Sequence, residues 1–502
     1  MSVVQPLDTA RPAPPPVRQT LVLVITCLAL GGVVAAMASL NVALPNIARE
    51  THGSQTQLSW IIDAYSLAFA SLLLPAGALG DRFGRRRALL AGLAIFGAGS
   101  GAAALTTDPT TLIALRAVLG AGAALVMPAT LSTITSTFSG AQRARAVSVW
   151  AAVAGASAVV GILASGLLLE LWSWPSVFVL NVVLALVALV GTLLYVPESA
   201  EPDASRIDVV GVLLSVVCLA AIVYSVIEAP TRGWGDAATL GGIGLGVVLL
   251  AAFVVWELRQ SNPLLDPRLF RNRRFTAGSL SMTLVFFGFF GFIFVIMQYL
   301  QMVRGDSALV AAVSMLPLSV GMVPSSRLSP RLTARFGARG PWVVGLLAVA
   351  VGMGALAQID ARSSYWLIAT ALFCNGLGMG LAMTPATTAI TGALPRALQN
   401  VGSAMNDLTR ELGGALGIAV LGSILSATYR DGLDLTGAPP QIAEAARSSL
   451  AAANAVGGPV ADQARTAFLD GMRFALLGSS TVALLAVVAV SLLLRRPEPA
   501  PK

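Results

Sequence analysis

Fourteen apolar runs, each long enough to cross a bilayer, divide this 502-residue chain and leave mostly short connections between them. They lie near 21–44, 58–79, 88–106, 110–137, 146–168, 176–196, 208–228, 238–257, 276–300, 308–326, 341–358, 364–390, 403–427 and 471–494. A span needs about 20 mostly apolar residues. Inside a bilayer every backbone N–H and C=O must find a partner within its own segment, so runs of this length have to be helices. With 56% hydrophobic residues, 11% charged ones and a mean hydropathy of +0.80, the chain has the make-up of an all-α polytopic membrane protein.

The loops orient it. An even number of spans places both ends on one side, and with the N-terminus inside, most of the arginines fall on that side, as retention of basic residues in the cytoplasm requires. The formal charge of +8 therefore reports topology and gives no reason to expect a nucleic-acid partner. Cys27, Cys218 and Cys374 lie in separate apolar runs without paired spacing. They read as small core residues and not as disulfides or metal ligands. His52 is the lone histidine, which argues against histidine metal sites and Ser/His/Asp chemistry, so no metal, no cofactor and no enzyme activity are expected. Residues 1–19 are Pro-rich and read as a disordered cytoplasmic tail, and the first span reads as retained, not as a cleaved signal.

The chain also repeats itself. Arg82-Phe83-Gly84-x-Arg86 returns 253 residues on as Arg335-Phe336-Gly337-x-Arg339. Gly161-Ile162 and Gly166 of span 5 return at an offset of 256 as Gly417-Ile418 and Gly422 of span 13, and Pro128 of span 4 at 257 as Pro385 of span 12. Internal duplication of this kind is common in transporters. Six helices and their short loops occupy about 200 residues at 1.5 Å per residue and bilayer-spanning length. The excess matches spans 7 and 8. The expected organisation is a tail (1–19), an N-terminal six-helix bundle (20–200), an inserted transmembrane hairpin with its linker (201–265), a C-terminal six-helix bundle (266–495) and a cytoplasmic tail (496–502). The hairpin has no charge in its interior and should pack outside the bundles without lining a pathway. Within the C-terminal bundle the long outer loop 428–470 has two stretches, Gln441–Ala453 and Val460–Leu469, with weak helical character.

Several polar groups stand out against this background. The turn between spans 2 and 3 holds Gly77, Asp81, Arg82, Gly84, Arg85 and Arg86. Arg116 lies about two turns inside span 4; it either snorkels to the outer headgroups or faces the lumen or a neighbouring helix. Asp63 lies about a turn inside span 2, either near interfacial water or as a carrier of protons. In span 13, Asp407 and Glu411 share one helix face by their i, i+4 spacing, with Arg410 a turn from Asp407. That trio is either a self-neutralised ion pair or a group that takes up protons and releases them to hold a cation. Gly155, Gly161 and Gly166 permit close approach of span 5 to its neighbours.

Taken together, these motifs resemble the fourteen-spanner drug:proton antiporter family of the major facilitator superfamily, over about residues 20–427. Leu40-Asn41-Val-Ala-Leu-Pro45 matches that family's end of helix 1, and Gln298-Tyr299-Leu300-Gln301 its pattern in helix 9. The family's acid five residues before the Asn is Ala36 here, and its Thr three before is Ala38. The resemblance implies two six-helix bundles plus an inserted two-helix hairpin. It implies a monomer in the cell membrane with both termini cytoplasmic. The implied activity is export of lipophilic, cationic drugs or antibiotics in exchange for protons by alternating access. With Ala36 in place of the usual acid, coupling falls to Asp63, Asp407 or Glu411, with Arg116 and Arg410 beside them. Asn41, Tyr65, Gln298 and Gln301 are expected to line the substrate cavity. The loop from Gly77 to Arg86 is expected to act as a conformational switch, with Asp81 meeting the cytoplasmic end of a neighbouring helix in the outward-open state and Arg82, Arg85 and Arg86 partnering carboxylates nearby. The alternative is an exporter of the same fold for an endogenous lipid or a secreted metabolite.

Overall fold

The computed structural model describes residues 16–200, 208–261, 263–394, 399–436 and 439–494. They form helices α1 (Pro16–Thr51), α2 (Gln55–Phe83), α3 (Arg85–Leu105), α4 (Pro109–Thr137), α5 (Gly140–Leu171), α6 (Pro175–Tyr195), α7 (Val209–Arg232) and α8 (Ala237–Glu257). There follow α9 (Arg273–Gln298), α10 (Ala308–Ser314), α11 (Leu316–Phe336), α12 (Arg339–Leu356) and α13 (Tyr365–Gly392). The last are α14 (Gln399–Asp431), α15 (Pro440–Ser448), α16 (Leu450–Val456) and α17 (Gly458–Leu493). Counting α10 with α11 as one crossing, fourteen segments are long and apolar enough to span a membrane. The chain therefore ends on the side where it began, called here the terminal side.

Local chemistry sets the boundaries. Ser54 and Gln57 form a reciprocal capping box at the start of α2, and Asp108 caps α4 with Pro109 behind it. Gly84 (φ 114°) and Gly337 (φ 75°) make the equivalent turns after α2 and α11, in a backbone region that favours glycine.

Three expectations need correction. Residues 16–19, assigned to the tail, already belong to α1, because nothing after Pro16 breaks the helix before the apolar run; residues 1–15 and 495–502 lie outside the description, as do 201–207 of the linker. The outer loop is shorter than 428–470. Helix α14 continues to Asp431, and Val460–Leu469 is no separate helix but the start of the 36-residue α17. The stretch Gln441–Ala453 is split into α15 and α16 at Ser449, whose extended backbone (φ −163°) lets its hydroxyl cap α16.

The repeat is visible as packing. A Cβ on Gly161 of α5 would lie 2.6 Å from the Ala35 carbonyl of α1, and one on Gly417 of α14 would strike the Phe287 carbonyl of α9. Likewise Gly166 meets Ala308, Leu309 and Ala312 at the start of α10, while Gly422 meets Ser59 at the start of α2. Gly120 of α4 lies on the Tyr65 carbonyl as Gly376 of α13 lies on that of Leu318. Small residues at these crossings let backbones touch, which is how helices gain packing energy in lipid. The result is two six-helix bundles, α1–α6 and α9–α17 less the two short outer helices, with the α7–α8 hairpin inserted between them.

Two lateral seams join the halves. In one, α5 meets α10 near the non-terminal side. In the other, α2 runs antiparallel to α14 from Ser59–Gly422 inward, and Leu408 packs against the core of the N-terminal half. Between them, at the non-terminal side, Gln301 Nε2 donates to the Val42 carbonyl at 2.9 Å.

Candidate functional site

Apart from Glu257 at the terminal-side end of α8, the buried charges among the described residues gather on α2, α4 and α14. Arg116 is 1% exposed. Its Nε donates to the Ile61 carbonyl at 2.9 Å and its guanidinium lies 4.2 Å over the Tyr65 ring. Arg116 therefore does not snorkel; it ties α4 to α2 with a cation–π contact in a desolvated setting. Tyr65 in turn donates its hydroxyl to the Val33 carbonyl of α1 at 3.3 Å. Arg116 and Asp63 form no ion pair, although both lie on the α2–α4 side of the molecule.

On α14, Arg410 reaches Asp407 at 3.9 Å and lies 4.8 Å over the Phe286 ring. The side chains of Arg410 and Asp407 keep 34% and 16% exposure. Glu411, one turn further from the terminal side, is buried, and its Oε2 has no hydrogen-bond partner. Asp63 is wholly buried and neither carboxylate oxygen has a partner; the Ser66 hydroxyl one turn away is also unpartnered. The antiparallel pairing of Ser59 with Gly422 sets Asp63 level with Ile418 and Ala419. At 1.5 Å per residue, that is about 10 Å beyond Glu411 along the seam. The three acids thus climb the α2/α14 seam from a partly open position to a closed one. An unpaired carboxylate in a membrane interior is costly, and taking up a proton or cation relieves the cost.

Of the four residues assigned to the substrate cavity, Asn41, Tyr65 and Gln298 are packed in protein and Gln301 reaches a cavity. Asn41 donates to the Met37 carbonyl of its own helix and leaves its Oδ1 unpartnered. Gln298 bonds the Phe294 carbonyl, just before a π turn at Tyr299–Val303. Gln301 borders two cavities at the non-terminal side, of about 500 and 330 Å³. Asn46, Arg49, Glu170 and Asp306 share the larger one, and residues of α16 roof the smaller.

The arginine-rich loop is held by two carboxylates. Asp81 pairs with Arg85, four residues on in the same turn, at 2.9 Å. Gly77 lies against Pro128, and the Arg82 guanidinium lies over the Phe83 ring. The residue that grips the loop is Glu198, which the sequence reading did not single out. Its carboxylate accepts the Arg86 N–H at 3.2 Å, sits 3.6 Å from the Arg87 Nε, and fills the space where a Cβ on Gly84 would go. Arg85 N–H donates to the Ser199 carbonyl at 2.8 Å, and Arg86 reaches the Leu193 carbonyl at 2.7 Å. The signal was present: a carboxylate directly after span 6, on the same side as a turn with four arginines.

A family model described as Major Facilitator Superfamily matches residues 26–418. The chain belongs to the major facilitator superfamily. It is 36% identical over 410 residues to the "Multidrug resistance protein Stp" of Mycobacterium tuberculosis, covering 82% of this chain and 76% of that one. It is 36% identical over 454 residues to the "Multidrug efflux pump LfrA" of Mycolicibacterium smegmatis, covering 90% of each. With the "Tetracenomycin C resistance and export protein" of Streptomyces glaucescens it shares 32% identity over 494 residues, covering 95% and 92%. The fold also matches the crystal structure of a bacterial homologue of the human lysosomal transporter Spinster, with a TM-score of 0.71 at 18% identity over 97% of this chain and 100% of that one. Superfamily membership makes this a multi-pass membrane protein for small-molecule transport, in keeping with its fourteen spans.

Proposed function

We propose that this protein is a secondary active exporter that moves lipophilic, cationic drugs or antibiotics out of the cell in exchange for protons. The observation that carries the reading is the likeness, over most of the chain, to proteins named for multidrug resistance and efflux. The seam geometry supports proton exchange: Asp407 beside Arg410 is reachable from the terminal side, while Glu411 and Asp63 are buried with unpartnered oxygens. Retention of basic loops in the cytoplasm places both termini inside. The arrangement described is then the inward-facing one, closed at the outer side by Gln301–Val42, Gly166–α10 and Gly422–Ser59. In alternating access the two bundles, residues 20–200 and 266–495, rock about this layer. A proton leaving an acid as substrate arrives, and returning from outside, links the two gradients. Asp81, the loop arginines and Glu198 hold the inner ends of α2, α3 and α6 together as one moving unit.

The name of the Streptomyces relative, which couples resistance with export of tetracenomycin C, favours a second reading in which the cargo is a secreted metabolite. One experiment addresses both. Purified protein in proteoliposomes with an imposed pH gradient is offered a panel of lipophilic cations, neutral antibiotics and tetracenomycin C. Gradient-driven movement of the cations supports the main reading; movement of tetracenomycin C alone supports the second. If no compound moves, export of small lipophiles is wrong.

A further inference from the structure

The two lateral seams are not closed to the same depth, and the difference lies where the inserted hairpin sits. On the α2/α14 seam, Val223, Val226 and Ile227 of α7 form one apolar cluster with Trp60 and Leu67 of α2 and with Leu416, Ala419 and Val420 of α14. Two hydrogen bonds tie α7 to both halves at once. Trp60 Nε1 donates to Glu228 Oε1 at 3.1 Å, and the Ser423 hydroxyl donates to the Val226 carbonyl at 2.9 Å. Helix α8 packs behind α7, with Gly246 close against Ile222 and the Cys218 thiol donating to the Gly246 carbonyl.

The α5 seam has no such cover. Beyond Gly166, the α5 stripe that met α10 continues through Gly155 and Ala152, both exposed, and a Cβ at Gly155 would meet nothing within 4 Å. Val323 and Pro330, eleven and eighteen residues on from Ala312 and so on the continuation of its face into α11, are exposed too. The matching stripe of α14, through Ala419, Ala415 and Glu411, is buried.

We infer that the α7–α8 hairpin is a clamp that locks the α2/α14 seam against lateral opening, so that lipophilic substrate passes between bilayer and protein through the α5/α11 seam alone. The inference rests on the proposed export of lipophiles and adds a direction to it. A hairpin held by one hydrogen bond and one apolar patch to each half keeps lipid and substrate out of the seam that carries the unpaired acids. Water or lipid tails entering there would bypass the alternating gate, because Asp63, by helical spacing, lies on the α2 stripe between Trp60 and Leu67, the residues the hairpin covers.

The test uses a diazirine-bearing lipophilic tertiary amine in vesicles of phosphatidylethanolamine and phosphatidylglycerol holding the full chain. Adducts that excess unlabelled amine suppresses are mapped by peptide sequencing. The clamp predicts suppressible adducts within 151–156 of α5 and 320–328 of α11, and none within 59–67 of α2 or 416–423 of α14. The variant I227S/E228A, loosened at the α7 surface, should gain adducts on α2 and α14. Suppressible α2 or α14 adducts in the unaltered chain would overturn the inference, as would their absence at both seams. An unchanged map in a well-folded I227S/E228A would do the same, and the unaltered-chain map stands if that variant fails to fold. Efflux of the same amine is measured in parallel. Efflux with the wrong adduct map defeats the clamp alone; the right map without efflux defeats the export reading alone.

Discussion

Helices α5 and α14 occupy equivalent places in the two halves and have been given opposite work. Their glycines do the same thing: Gly161 and Gly417 bring each helix onto the first helix of its half, and Gly166 and Gly422 bring each onto the other half. Between those glycines and the terminal side the likeness stops. Where α14 has Asp407, Arg410 and Glu411, the positions 256 residues earlier in α5 are Ala151, Ala154 and Gly155. The same holds elsewhere, since Arg116 answers to Leu372 and, by the Ser59–Ala312 equivalence, Asp63 answers to Leu316. Within the spans, packing is repeated and charge is not. The repeat thus separates scaffold from chemistry: residues that both copies keep hold helices together, and residues that only one copy has are those to test for function.

The largest effect should come from the shared glycines. Gly417→Leu drives a side chain into the Phe287 backbone, and overpacking of this kind costs about 1–3 kcal/mol or more. Folded yield on detergent size-exclusion chromatography should collapse, whereas Gly155→Leu, at the open equivalent of Glu411, should elute normally. Equal loss at both positions would break the comparison.

Next is Arg116→Leu, which gives α4 the residue its counterpart in α13 already has. Among the described residues Arg116 has no ion-pair partner, so removing it lifts the desolvation cost of a buried charge and offsets the lost contacts to Tyr65 and the Ile61 carbonyl. The variant should keep its apparent melting temperature and lose substrate export. A marked fall in melting temperature would show that Arg116 serves packing alone.

A smaller difference separates the two loop copies. Gly84 has both a positive φ and Glu198 against it, whereas Gly337 has the positive φ and nothing within 4 Å of an added Cβ. Gly84→Ala should lower the apparent melting temperature and the export rate more than Gly337→Ala, and Glu198→Ala should narrow the gap between them. The reverse order would mean that Glu198 does not grip the loop.

The smallest effect is electrostatic and lies outside the membrane. The Thr111 hydroxyl and N–H bonded to Asp108 hold its carboxyl below the usual carboxylate range. A group lowered in this way contributes stability above its unfolded value and loses it as pH falls through the folded value. Acidification should therefore lower the melting temperature slightly less steeply in Asp108→Asn than in the unaltered chain. Identical slopes would show that this cap adds nothing measurable.

Much of this was legible beforehand. Fourteen spans follow from hydropathy because a helix crossing lipid has a fixed length, and the repeat follows from glycines whose spacing packing does not allow to drift. The wall of partners around each charge was not legible. Nothing in Trp60-Ile-Ile-Asp63 says that α7, whose Glu228 lies 168 residues beyond Trp60, binds this stretch of α2, because that depends on how the inserted hairpin docks. Asn41, Tyr65, Gln298 and Gln301 were placed by family likeness on a cavity; in this arrangement Gln301 does border one, while the side chains of Asn41, Tyr65 and Gln298 are tied to backbone carbonyls inside packed protein. The tail assignment missed residues 16–19 because a proline at a helix start looks the same in sequence as one in a disordered segment.

The central claim is that the acids unique to the α2/α14 seam exchange a proton for substrate. Proton release on substrate addition, followed with a pH-sensitive dye in weakly buffered detergent solution, tests it without depending on a gradient or a sealed vesicle. The unaltered protein should release protons in proportion to substrate bound. The triple variant Asp63→Asn, Asp407→Asn, Glu411→Gln should bind substrate and release none, with at least one single variant accounting for most of the loss. Undiminished release from a triple variant that still binds substrate would contradict the account.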